Sequence, residues 1–129
     1  MSTLSRYQPQ ALGVFRIVVA LLFIQHGTQK LFGFPASPFE TLPPIMLIGA
    51  WLELIGGLAI LVGLFTRPVA FVMSGMMAVA YFMFHAPSGF FPALNGGDAA
   101  ILFCFAFLYL VFAGPGAFAV KSEPQPAYA

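Results

Sequence analysis

The chain has 129 residues, of which 60% are hydrophobic and only 7% charged. A soluble domain of this size cannot hide so much apolar surface, so the composition excludes the ordinary globular class and points to an integral membrane protein. The net charge of +1 gives no electrostatic case for nucleic acid, and the single cysteine, Cys104, excludes an internal disulfide or a C-x-x-C redox pair.

Crossing the hydrocarbon core takes about 20 mostly apolar residues in a helix. Four such segments are predicted, at residues 12–32, 45–65, 69–84 and 99–113, the last two being short. In lipid only helices or closed barrels satisfy the backbone, and no barrel-type alternation is present. The expected fold is therefore all-α: one integral membrane domain over residues 1–129, built as an antiparallel four-helix bundle.

Arg16 interrupts the first apolar run and no clear A-x-A site follows, so this segment reads as a retained helix rather than a cleaved signal. Gly13, Arg16, Ala20, Phe23, Gly27 and Lys30 fall on one helical stripe, with His26 at its edge. A Pro-rich stretch, "GFPASPFETLPP", forms the following loop. In the second segment Gly49, Glu53, Gly56, Ile60 and Gly63 form another stripe, and small residues mark tight helix–helix contact in membranes. Glu53 should thus point into a packed seam, facing the Arg16/Lys30 face of the first helix.

"TRP" (66–68) is predicted as a very short turn, making the second and third segments a hairpin. On the third segment Ser74, Ala78, Tyr81 and His85 align, and "HAPSGFFPALNGG" reads as a longer loop. Asp98 opens the fourth segment, with Leu102, Phe105, Tyr109 and Phe112 continuing its face, and "GPG" ends it. A polar tail over residues 117–129 is expected to fray. Lys and Arg favour cytoplasmic loops. With the N-terminus inside, Arg6, Arg67 and Lys121 are cytoplasmic and only Lys30 faces out, which predicts an N-in/C-in topology.

Intramembrane polar groups face protein or a water-filled cavity. Counting along the helices puts Glu53 near mid-membrane, His26 and Tyr81 in the outer third, and Lys30, His85 and Asp98 near the outer surface. These residues outline a pocket opening outward, with Glu53 at its floor and His85 and Asp98 at its mouth. Glu53 either pairs with Arg16 or Lys30 as structural glue or serves proton or ligand chemistry; the sequence leaves both open. Asp98 also suits a helix N-terminus, and Trp51 and Tyr81 also suit interfacial positions. There is no haem, flavin or iron–sulfur motif, and no tight His/Asp/Glu spacing for a metal.

These residues resemble a family. "RIVVALLFIQHGTQKLFGF" is similar to the first-helix signature of DoxX proteins, with Arg16, Gly27 and Lys30 in matching places. "WLELIGGLAILVGLFTRP" resembles the second-helix signature, where Glu53, Gly56, Gly57, Gly63, Leu64, Thr66 and Arg67 fit E-x-x-G-G…G-L-x-T-R. "NGGDAAILF" and "GPG" are similar to the fourth-helix start and end, although "AFAVK" lacks the Asp often found after GPG. The resemblance implies a multi-pass inner-membrane protein, and family members are linked to quinone-coupled sulfur oxidation and to membrane redox complexes.

The resulting functional expectation is a membrane subunit that binds a quinone or similar lipophilic ligand. Glu53 would be the protonatable group. His26, Tyr81 and Lys30 would be hydrogen-bond donors, Trp51 would contact the ring or tail, and Arg16 would neighbour the site. Electrons would come from a redox partner protein, so the chain is at most the membrane subunit of an oxidoreductase. The alternative is a non-catalytic assembly or anchor subunit, with Arg16, Glu53 and Lys30 as intramembrane ion-pair glue. Besides the lipid bilayer, the expected partners are that redox protein or further copies of this chain.

Overall fold

A computed structural model describes residues 2–123. Their regular secondary structure is all helical, with no strand among them. A 3-10 turn (Thr3–Tyr7) leads into α1 (Gln8–Phe32); α2 (Pro44–Val62) and α3 (Thr66–Ala80) follow. A π-helical turn (Tyr81–His85) and a 3-10 turn (Ala86–Ser88) prolong α3, and a single-turn α4 (Pro92–Asn95) precedes α5 (Asp98–Ala113).

Three continuous helical stretches are long and apolar enough to cross a bilayer: Thr3–Phe32, Pro44–Val62 and Thr66–Ser88. The expected fourth span is shorter than that. α5 has 16 residues, roughly 24 Å at about 1.5 Å each, against a hydrocarbon core of about 30 Å. Glycines at 96–97 and the Gly114–Pro115–Gly116 break stop it at both ends.

The helices pack as two intimate pairs, α1 with α2 and α3 with α5, joined by smaller α2–α3 and α1–α5 contacts. The core holds Leu12, Ala20, Phe23, Ile60, Met73, Phe107 and Leu110. The opposite helix faces expose Val18, Leu22, Ile48, Ile55, Phe71, Leu102 and Phe105, an apolar belt suited to lipid rather than water. On α1 the residues Gly13, Arg16, Ala20, Phe23 and Gly27 of the predicted stripe are buried, together with Leu12 and Val19.

Three local readings are corrected. "TRP" is not the turn but the first turn of α3, where a proline is tolerated because its N–H is unpaired anyway. The reversal is made by Gly63–Leu64–Phe65. Gly63 caps α2 at φ 76°, and the Leu64 N–H reaches back to the Ala59 carbonyl. On α5 the face carrying Asp98, Leu102, Phe105, Tyr109 and Phe112 is the exposed one; Ala100, Phe107 and Leu110 are buried instead. This helix is apolar all round, so periodicity gave no sign of which side faces inward. The predicted tail folds back as far as Glu123. The Ala117 N–H donates to the Pro9 carbonyl and the Val120 N–H to the Val62 carbonyl. The remainder of that tail lies outside the described residues.

Candidate functional site

Two polar centres occupy opposite ends of the helices. Contacts between α1 and α2 descend one helix as they climb the other: Lys30 meets Glu53, Gly27 lies against Ala50 and Leu54, Ile24 against Gly57, and Arg16 against Ile60. At Gly27 the two backbones come close, because an added Cβ would meet the Ala50 carbonyl and the Leu54 N–H at 3.0 Å. That approach carries the end of α1 onto α2. Lys30 Nζ sits 2.7 Å from Glu53 Oε1, with the two side chains 18% and 6% exposed. Glu53 Oε2 is buried and has no hydrogen-bond partner among the described residues.

Beside this pair lies a cavity of about 570 Å³ between the two helix pairs. Its polar lining comes from His26, Gln29, Lys30, Glu53 and His85; its apolar lining includes Phe23, Phe103, Met76, Met77 and Met83. Pockets for drug-sized molecules run from about 300 to 1,000 Å³ and have this mostly apolar, sparsely polar character. Gln29 is held by its Nε2, which donates to the Ala36 carbonyl at 3.0 Å. His85 Nδ1 is 3.3 Å from the Asn95 carbonyl; a carbonyl only accepts, so that bond needs the proton on Nδ1. Among the described residues no three His, Cys, Asp or Glu side chains converge to hold a metal ion.

Of the residues singled out from sequence, Glu53, His26, Lys30 and His85 line the cavity. The others stand elsewhere. Tyr81 turns toward α4, where its hydroxyl accepts from Asn95 Nδ2 at 3.1 Å. Trp51 is 47% exposed on the outward face of α2, and Asp98 is exposed at the start of α5. Arg16 is fully buried at the other end. Its Nε donates to the Ile60 carbonyl at 2.9 Å, Nη1 to those of Pro115 and Ala117, and Nη2 to that of Phe118 at 2.8 Å. This guanidinium is solvated by carbonyl dipoles and not paired with Glu53, which lies two turns away along α2.

Asn95 was missed. It is buried, donates to both the Tyr81 hydroxyl and the Gly89 carbonyl, and accepts from the Gly97 N–H at 2.8 Å. Its one sequence signal was the "NGG" turn, which suggested a surface loop.

The DoxX family pattern matches residues 11–86, more than half of the chain. The chain belongs to the DoxX family. A protein of Haemophilus influenzae described as uncharacterized is 43% identical over 130 residues, covering 95% of this chain and 97% of its own length. Inner membrane protein YqjF of Escherichia coli is 33% identical over 118 residues, covering 83% and 86%. No solved structure matches. With DoxX membership and three helices able to span a bilayer, the chain is a multi-pass inner-membrane protein. The DoxX match includes His26, Gln29, Lys30, Glu53 and His85; the α5 wall of the cavity lies beyond it.

Proposed function

We propose that this DoxX protein binds a quinone, or a lipophilic ligand of similar shape, in the cavity beside Lys30 and Glu53 and presents it to a redox partner protein. The observation that carries this reading is the cavity itself: a ligand-sized, mostly apolar chamber with a part-buried ion pair in its wall. A quinone ring needs hydrogen-bond donors at its carbonyls. The Lys30 ammonium has three N–H groups, of which Glu53 takes one, and His26 offers a ring nitrogen on the same wall. Phe23 and Phe103 supply flat apolar surface. When bound, a quinone would supply two-electron, two-proton redox chemistry, with Glu53 the residue able to hold or release a proton there. The reading includes a four-helix antiparallel bundle, α5 being its fourth member, with N-in/C-in topology. The terminal segments meet at the end that carries Arg67, whereas Lys30 is at the other.

A second reading is favoured by the 2.7 Å ion pair: a non-catalytic assembly or anchor subunit in which Lys30–Glu53 seals the α1–α2 seam. Extraction of the purified full-length protein separates the two. On the ligand reading, organic extraction recovers quinone in near-stoichiometric amount, added quinone raises the melting temperature, and Glu53→Gln loses the quinone while remaining folded. Well-folded protein with no quinone and no thermal shift would sink that reading. Full cellular function in a Lys30→Met/Glu53→Leu double variant would establish the second.

A further inference from the structure

The cavity is closed unevenly. On the α1–α5 side the rings of Phe23, Phe103 and Phe107 interlock, with centroids 5.4 Å apart for Phe23–Phe103 and 4.8 Å for Phe23–Phe107. His26 adds an edge contact to Phe103 at 5.8 Å. The α2–α3 side is built differently. These helices join at the Gly63–Phe65 reversal and touch two turns above it, where a Cβ on Gly56 would meet Met73 Sδ at 2.5 Å. Two further turns out they have parted, since a Cβ on Gly49 would meet nothing within 4 Å. α2 and α3 thus form a V with its vertex at the Arg16 end and its open arms flanking the cavity. Ile45, Val79 and Met83 line the cavity and remain 48%, 55% and 46% exposed. They form a rim between the chamber and the surrounding lipid.

We infer that the ligand is a bilayer-dissolved amphiphile that enters sideways from the lipid, between the arms of α2 and α3. Its ring rests against Lys30 and Glu53, and its tail leaves past Ile45, Val79 and Met83 into the membrane. Gly49 leaves room for the ring, because a larger residue there grows into the chamber without meeting protein. This rests on the reading that the cavity takes a lipophilic ligand. An apolar rim gives a tail a continuous apolar path, so the tail never crosses water.

The test uses full-length protein in lipid nanodiscs and a benzoquinone carrying a medium-length alkyl tail. Ile45→Trp and Val79→Trp narrow the rim without entering the core. Each should slow both uptake and release about tenfold, because a narrowed gate raises the barrier in both directions. Gly49→Leu should lower occupancy about tenfold, and Gly49→Ala, whose Cβ has open space, should lower it less while melting like the parent. Phe71→Trp, at an exposed site on α3 away from the cavity, should change neither rate nor occupancy. Rim variants that exchange at the parent rate, or a Phe71→Trp as slow as they are, would overturn lateral entry while leaving ligand binding in place. A parent protein that takes up no quinone would overturn both readings.

Discussion

Lys30 Nζ and Glu53 Oε1 stand 2.7 Å apart across the α1–α2 seam, while the second oxygen of the same carboxylate is buried with no partner among the described residues. A pair meant only to tie two helices would be expected to satisfy all its polar atoms. Removing one partner leaves a buried charge uncompensated, at a cost of about 3–5 kcal/mol. Glu53→Leu and Lys30→Met should each destabilise by about that much in a denaturant titration in detergent. The double variant should recover most of the loss, since apolar packing often replaces a buried pair without penalty.

Arg16→Lys should be nearly as harmful as Arg16→Met. Lysine keeps the charge but lacks the planar fork that reaches Ile60, Pro115, Ala117 and Phe118 together. Each hydrogen bond to a charged group is worth about 1.5–3 kcal/mol, so losing even two of them is a large fraction of total stability. Limited proteolysis should then cut the segment around Ala117–Lys121 well before the helices, whereas the parent resists.

Alanine at Gly13 and at Gly49 should separate cleanly. At Gly13 the new methyl would run into the Ala117 carbonyl, a backbone atom that cannot step aside. Overpacking of this kind costs about 1–3 kcal/mol, readable as a lowered melting temperature. At Gly49 the same methyl enters open space, and the melting temperature should hold or rise slightly from better helix propensity.

At the same end, Arg67 and Glu123 should contribute unequally. Their ion pair is 2.7 Å long but about 40% exposed on both sides, and exposed pairs are worth about 0.2–1 kcal/mol. Glu123→Gln should therefore be close to silent in a thermal melt. Arg67→Ala should cost clearly more, because Nη1 also donates to the Val111 and Phe112 carbonyls at the C-terminus of α5.

What the sequence revealed depended on how much chemistry each helix displays. α1 and α2 carry glycines and charges at helical spacing, and that spacing alone places Gly27, Lys30 and Glu53 on one seam. α5 carries Phe on every side, and its exposed Asp98 drew the eye to the wrong face. Tyr81 lay on the right helix but, in the π-helical turn after α3, turns toward Asn95 and not the cavity. The anchoring of Arg16 was not legible at all, because its partners are carbonyl oxygens far along the chain and those leave no mark on side-chain pattern.

That last point reaches beyond stability. Every residue except for its side chain offers the same carbonyl, so the Arg16 anchor makes no direct demand on the side chains of Pro115, Ala117 or Phe118. The specification of the joint is lodged in one arginine and in Gly13, Gly63 and Gly116, which let the segment lie close. The exposed side chains of that segment, such as Phe118 and Val120, can change for other purposes while its path across the base of the helices stays fixed.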